Sequence, residues 1–331
     1  MPRPIVHIGY PKTATTWFQK DFYRRLSGRH YVERDALRHA FLSANELTFD
    51  PAQALRLLVG DGDPDRLLIC EEGLSGYLHN GGVMETVTRA FADRLHRMLP
   101  DADIVIVLRA QPSIIASTYQ QYVRAGGTHS AKRYLFPQPY LKKNHRDQYK
   151  IPLQDVAHFD YVPIVRYYRQ LFGPERVHLF LYEELERDPQ GFIEKLTTRL
   201  GLDADLAVGR TGKRRLAGYG YPIHLLARLF NLLTYRAVLD KRYVVHIPGW
   251  YRLQRKALTR LNDTGWFGGA PSPQRILGRD MVRWLEHRFA QPNRELAGLT
   301  GLPLTEFGWV LEAPEAPFPV APSRFRRFYG Q

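Results

Sequence analysis

The run Ile104-Val-Ile-Val-Leu108 is unbroken in its apolarity and stops at Arg109. A short, β-branched run of this kind reads as a strand, and continuous apolarity means that both of its faces are covered. A strand covered on both faces belongs to a layered α/β fold. Three further short, mainly apolar runs also read as strands: Ile5–Ile8, Leu67–Cys70 and Val177–Tyr182. Helical spacings separate them. Phe18, Phe22 and Leu26 recur every four residues, as do Val83, Val87, Phe91 and Leu95. Ile114, Ile115, Tyr119, Tyr122 and Val123 supply the apolar face of a third helix. Strands alternating with helices predict right-handed crossovers and a central, mainly parallel sheet flanked by helices.

The chain has 331 residues, enough for a large core, and its 44% apolar and 24% charged content exclude disorder as the default. We expect a single domain over 1–331. Its core spans about 1–205, a helical and basic region about 206–310, and a tail 311–331. Residues 126–150 open on Gly126-Gly127 and mix prolines, aromatics and basic residues, the pattern of a long surface loop. From 222 to 262 the pattern is helical and basic, and Ile223, Leu226, Leu229, Phe230 and Leu233 form an amphipathic stripe.

The net charge is +14, from 47 basic and 33 acidic residues, which favours an anionic partner. A phosphorylated nucleotide, a polyanionic glycan, an acidic membrane surface and nucleic acid all carry the required charge. The single cysteine, Cys70, permits no internal disulfide and closes an apolar run, as a small buried hydrophobe does. It fits a reducing compartment such as the cytoplasm. No apolar run approaches the ~20 residues of a bilayer span, and the N-terminus shows no signal-peptide pattern. The expectation is a cytoplasmic protein in peripheral contact, at most, with an acidic membrane. No His/Cys/Asp cluster has metal-ligand spacing, so no metal is expected.

The segment Ile5-Val-His-Ile-Gly-Tyr-Pro-Lys-Thr-Ala-Thr-Thr-Trp17 carries the most chemistry. A strand ends at Gly9, a tight loop follows, and Thr15 or Thr16 opens a helix. The first amides of a helix are unpaired and sit at the positive end of its dipole, which makes an anion site. Lys12 adds a mobile charge and the threonines add hydroxyl donors. The Walker spacing GxxxxGK[ST] is absent, which argues against a nucleotide kinase, the nearest competing enzyme class. A basic membrane- or polyanion-binding protein without catalysis is the other alternative, supported by the charge and the 222–262 stripe.

Tyr10-Pro-Lys-Thr-Ala-Thr-Thr-Trp17 resembles the 5'-phosphosulfate-binding loop of the sulfotransferases that use 3'-phosphoadenosine-5'-phosphosulfate (PAPS). The resemblance is to the bacterial and glycan-modifying members, and implies a P-loop-like three-layer α/β fold with a helical C-terminal region. It also implies transfer of a sulfuryl group to a hydroxyl of a carbohydrate, glycolipid or lipid, with 3'-phosphoadenosine-5'-phosphate (PAP) as product and neither metal nor nucleic acid involved. By resemblance Lys12 contacts the leaving phosphate oxygen, Thr13, Ala14, Thr15 and Thr16 hold the 5'-phosphate, and Trp17 lies against adenine. Ala14 replaces the family's usual glycine, so a positive φ there would strain it. Arg109 and Ser117, eight residues apart after a buried strand, match the family's 3'-phosphate motif. Gly209-Arg-Thr-Gly-Lys213-Arg214-Arg215 resembles the basic loop that closes over the same phosphate, and is equally well read as a solvated turn. Phe172-Gly-Pro-Glu-Arg-Val177, Tyr182-Glu-Glu-Leu185 with Asp188-Pro189, and Arg288–Arg294 leading to Gly308-Trp309 extend the likeness along most of the chain.

A hydroxyl acceptor needs a general base, and the family's glycan-type members carry a glutamate after the second strand. Glu71 and Glu72 both stand there, and Glu72 fits the Glu-Gly-Leu-Ser pattern better. His79 and His129 are fallback bases, each also readable as a surface histidine. Tyr134, Tyr140, Lys142, Lys143 and His145 are candidates for the acceptor wall. The residues name neither the acceptor nor the oligomeric state.

Overall fold

The computed structural model describes residues 2–82, 84–135, 154–202, 218–237 and 241–314. The chain divides into two compact units, one of residues 1–110, 160–215 and 295–308, the other of 111–159, 216–294 and 309–331. Five strands are present: β1 (Ile5–His7), β2 (His30–Tyr31), β3 (Leu67–Cys70), β4 (Asp103–Leu108) and β5 (Val177–Leu181). The helices in chain order are α1 (Thr15–Trp17), α2 (Arg34–Leu37), α3 (Pro51–Val59), α4 (Thr86–Met98), α5 (Gln111–Arg124), α6 (Ala131–Leu135), α7 (Tyr161–Phe172), α8 (Tyr182–Arg187), α9 (Pro189–Leu200), α10 (Tyr221–Phe230), α11 (Trp250–Asp263), α12 (Pro273–Leu277) and α13 (Arg279–Thr300).

All five strands lie in the first unit, in the order β2-β3-β1-β4-β5. Every neighbouring pair is parallel, as the sequence predicts. The period-2 alternation of side chains sorts the core into two faces. Ile5, Leu68, Cys70, Val105, Val107 and Phe180 share one cluster with Phe18, Phe22, Phe192, Ile193 and Leu196 of the α1 segment and α9. Val6, Ile69, Ile104 and Ile106, on the other face, are also fully buried. There α7 packs on β4 and β5, and α4 packs on α7. β2 was not expected, because two residues carry no periodicity.

Helix boundaries follow local chemistry. Asp50 caps α3 by accepting from the amides of Ala52 and Gln53, and Pro51 holds the first helical position. Asp160 and Asp188 cap α7 and α9 in the same manner. The helix expected to run from Val83 begins only at Thr86. Gly81, Gly82, Met84 and Glu85 all have positive φ, which no α-helix accepts; residue 83 lies outside the described residues. Past Trp17 the first helix continues as a π turn (Phe18–Phe22) and a 3-10 turn (Tyr23–Arg25). Arg94 of α4 is buried, and fixes the segment before α3. Its guanidinium donates to Phe41 O (2.8 Å), Ala44 O (2.9 Å) and Glu46 Oε2 (2.6 Å), and lies over the Phe49 ring.

The second unit is helical. On α5 the expected residues Ile114, Ile115, Tyr119, Tyr122 and Val123 are all buried, and α10 and α12 pack against this helix. Tyr119, Tyr122 and Tyr134 form an aromatic cluster with centroids 5.1–6.2 Å apart. Tyr134 is fully buried and donates to Gln154 Oε1, so it belongs to this core and not to an acceptor wall. Tyr140, Lys142, Lys143 and His145 lie outside the described residues. Asn231 joins three segments. Its side-chain amide donates to Val123 O and Gly127 O, and its Oδ1 accepts from Gln254. Gly126 (φ +110°) faces Arg236 O so closely that a Cβ would sit 2.1 Å from it. The stripe expected on α10 is corrected. Ile223, His224 and Ala227 are buried, whereas Leu226 and Leu229 are exposed. The four-residue spacing of Ile223 and Ala227 defines the inward face, and the longer leucines fall off its edge.

Candidate functional site

Three loops meet at the C-terminal edge of the sheet in the first unit. After β1 the chain leaves toward β2, and after β4 toward β5, so these strands flank a topological switch point. That is where open α/β sheets bind ligands. The loop after β1 begins at Gly9, where a Cβ would sit 2.6 Å from His7 Nε2, so only glycine fits. His7 is buried, its Nδ1 is 2.9 Å from the Tyr23 hydroxyl, and burial drives its pKa down to about 3, keeping it neutral. Tyr10 is buried edge-on against Tyr161, 4.8 Å between centroids.

The turn itself takes an unusual backbone. Lys12 has φ 73° and Ala14 has φ 66°, both in the left-handed region. Thr13 is buried and its hydroxyl donates to Tyr10 O (2.5 Å). The amides of Trp17 and Phe18 donate back to Ala14 O. Those of Ala14, Thr15 and Thr16 reach no backbone acceptor among the described residues. The Thr15 hydroxyl is buried and has no hydrogen-bond partner. An orphaned hydroxyl beside unpaired amides costs free energy unless an acceptor fills the cradle. Trp17 is partly buried, its ring stacked on Phe22 at 5.7 Å.

The turn after β3 is tied to this loop. Glu71 N donates to His7 O (3.1 Å), the Ser75 hydroxyl reaches Gly9 O (3.3 Å), and Gln19 Nε2 donates to Cys70 O (2.9 Å). The two adjacent glutamates differ sharply. Glu71 is buried: its Oε1 accepts from Gly73 N, capping the 3-10 turn Glu72–Ser75, and from Arg34 Nη2 at 3.1 Å, while its Oε2 is ion-paired with Arg34 Nε at 2.8 Å and accepts no hydrogen bond among the described residues. The Glu72 carboxylate accepts no hydrogen bond among the described residues. Desolvation, and then the Glu71 charge, raise its pKa above the usual carboxylate range, while Arg34 and Lys12 pull it down. Lys12 and Glu72 are thus electrostatic neighbours across the two loops.

Arg109 follows β4. Its Nη1 donates to Lys12 O (2.9 Å), its guanidinium carbon lies 4.2 Å from the centroid of the Tyr182 ring, and its carbonyl accepts from Tyr161 (2.6 Å). Glu183 accepts from Ala110 N (2.9 Å), which fixes where the chain leaves the strand. Tyr182 and Glu183, read from sequence as a strand closure, hold the arginine in place. Arg34 and Gln19 carried no sequence signal: an arginine after a two-residue strand is one among many.

The sheet edge thus gathers Lys12, Thr13, Ala14, Thr15, Thr16, Glu71, Glu72 and Arg109. Ser117 lies on α5 in the second unit, partly buried. Lys213 and Arg214 fall outside the described residues. His79 and His129 are both buried, not on the surface as expected; His129 stacks on the Tyr122 ring.

The chain belongs to the sulfotransferase family, whose sequence profile matches residues 30–205. The match begins beyond the loop after β1 and includes Glu71, Glu72, Arg109 and Ser117. A crystal structure of a sulfotransferase from Alicyclobacillus acidocaldarius is similar at 21% identity and a TM-score of 0.48, covering 65% of this chain and 87% of that one. No curated protein matches the sequence.

Proposed function

We propose that the chain carries a sulfuryl group from PAPS to a hydroxyl of a carbohydrate or glycolipid acceptor, with Glu72 as general base. The observation that supports this most is the pairing of an anion cradle with a carboxylate: a Thr15 hydroxyl and amides without partners among the described residues on one loop, and Glu72, which accepts no hydrogen bond among them, on the next. When bound there, PAPS supplies an activated sulfuryl group on a phosphate leaving group. Lys12 and the amides of Ala14 to Thr16 hold that phosphate and offset the charge that grows on it. Arg109, with Ser117 as its sequence partner, takes the 3'-phosphate, and Trp17 takes the adenine. Glu72 removes the acceptor's proton, for which a raised pKa suits it. Glu71, paired with Arg34 and capping the turn through Gly73 N, is the weaker candidate for the base and positions the turn.

The net charge of +14 agrees with an anionic donor and with an acceptor that is itself acidic or membrane-anchored. The buried Cys70 agrees with a cytoplasmic setting. Among the described residues no helix is long and apolar enough to cross a membrane.

The test is the melting temperature with PAP, against ATP and 5'-AMP. A ligand that binds only the native state adds ~2.7 kcal/mol at 100 times its Kd. We expect a clear upward shift with PAP that Lys12→Ala removes. A shift with ATP and Mg²⁺ alone would transfer the site to a nucleotide kinase.

A further inference from the structure

Within the second unit, the described residues 218–237 and 241–262 contain eight lysines and arginines and no aspartate or glutamate. Six cations, Arg124, Arg236, Arg252, Arg255, Lys256 and Arg260, line one open depression of about 550 Å³. On α11 the buried residues are Gln254 and Leu258. Arg252, Lys256 and Arg260 stand four apart, with Arg255 beside them, and all four are exposed. Like charges at this spacing repel and weaken a helix. No ion pair with any of the four occurs among the described residues. A surface that keeps such repulsion uncompensated is built for an anionic partner.

An apolar loop adjoins these cations. Val244 N donates to Leu232 O (2.8 Å), Ile247 N to Leu233 O (3.1 Å), and Trp250 Nε1 to Phe230 O (3.0 Å), so the segment is pinned to the end of α10. Its side chains point outward instead of into the core: Val244 is 78% exposed, and Tyr243, Val245 and Ile247 are exposed too. The loop runs directly into α11, where Leu253 is also exposed, and Trp266 beyond the helix is 87% exposed. The rigid base beneath is the Asn231 hub, which holds α5, α10 and α11 together.

We propose that this face of the second unit docks on an anionic lipid bilayer, the α11 cations against headgroups and the Tyr243–Ile247 loop in the interface. Charge alone would suit a soluble polyanion equally. Exposed valines and an isoleucine give a hydrated glycan nothing to bind, whereas an interface takes them together with the aromatics. The proposal stands apart from the reaction assigned above.

Co-sedimentation with vesicles tests it, and is read without sulfuryl transfer. The full chain is expected to pellet with vesicles of phosphatidylcholine and phosphatidylglycerol, and only weakly with pure phosphatidylcholine. Each cation near an anionic leaflet contributes on the order of a fivefold gain in partitioning, so Arg252→Glu/Arg255→Glu/Lys256→Glu is expected to lose at least about a hundredfold. Arg252→Gln/Arg255→Gln/Lys256→Gln, a milder change at the same exposed positions, is expected to lose most of the binding with its melting temperature unchanged, and decides the matter if the reversal disturbs folding. Val244→Asp/Val245→Asp keeps every cation and is expected to weaken binding and leave the remainder fully sensitive to salt. Absence of binding to both vesicle types overturns the proposal. So does undiminished binding by Val244→Asp/Val245→Asp that heparin displaces, which would assign the face to a soluble polyanion.

Discussion

Glu71 and Glu72 are neighbours with the same side chain, and their surroundings divide the work between them. Arg34 pairs with Glu71 and the Gly73 amide donates to it, while Glu72 keeps a desolvated carboxyl near Lys12. A carboxyl with a raised folded pKa stays protonated above ~4.3, the ordinary glutamate value. As a base it is active only when ionised, so kcat/KM is expected to rise with pH through a pKa above that value. Glu72→Gln is expected to lose this limb and ~10²–10⁴-fold in rate while keeping the PAP-induced melting shift. Unchanged kinetics in the variant would remove Glu72 from the reaction. The linkage has a definite sign. The protonated form is the one favoured on folding, so its contribution is present at low pH and fades as pH rises through the folded pKa. Ala14 is the other residue whose state is telling. Its φ of 66° realises the strain foreseen from the missing glycine. An L-residue in this region costs ~1–2 kcal/mol, and glycine's own entropy returns part of that. Ala14→Gly is therefore expected to raise the denaturant midpoint by up to about 1 kcal/mol of stability, and a fall would show that the methyl packs favourably in the loop.

At the level of elements, the strands β3 and β4 were legible because uninterrupted apolar runs leave little alternative, and β5 because its run is broken only by His178. The α5 face was legible because its five apolar residues fit one helical turn pattern. Three things were not. β2 is too short for any period. The start of α4 is set by a string of positive φ values, which Met84 and Glu85 do not advertise. Of the α10 stripe Ile223 is buried but Leu226 and Leu229, three apart, are exposed, because the helix buries the track of Ile223 and Ala227. Arg94 shows a further kind of invisibility: a lone arginine in a helix reads as surface, yet here it holds two backbone carbonyls and Glu46. Arg94→Ala is expected to destabilise the first unit by about 2–4 kcal/mol, since it leaves buried acceptors unpaired. A calorimetric loss below about 1 kcal/mol would mean that water replaces the guanidinium.

Over the whole molecule, the sequence pointed to the candidate site more clearly than to its supports. Lys12, the threonines, Glu72 and Arg109 stand at strand ends, which the apolar runs locate. Arg34, Gln19 and Tyr161 reach the same edge from elsewhere in the chain, and no spacing rule links them. The strand order has a consequence for how the chain acquires its shape. β1 lies between β3 and β4, and its partners begin at Leu68 and Asp103. A ribosome adding about 5–20 residues per second delivers the second of these partners roughly 5–20 s after β1. Until then the segment from Gly9 to Trp17 has only the β1–β3 pair to fold on. The loop is thus made well before the strand that completes its sheet, and a pause or truncation upstream of Leu108 leaves it without β4.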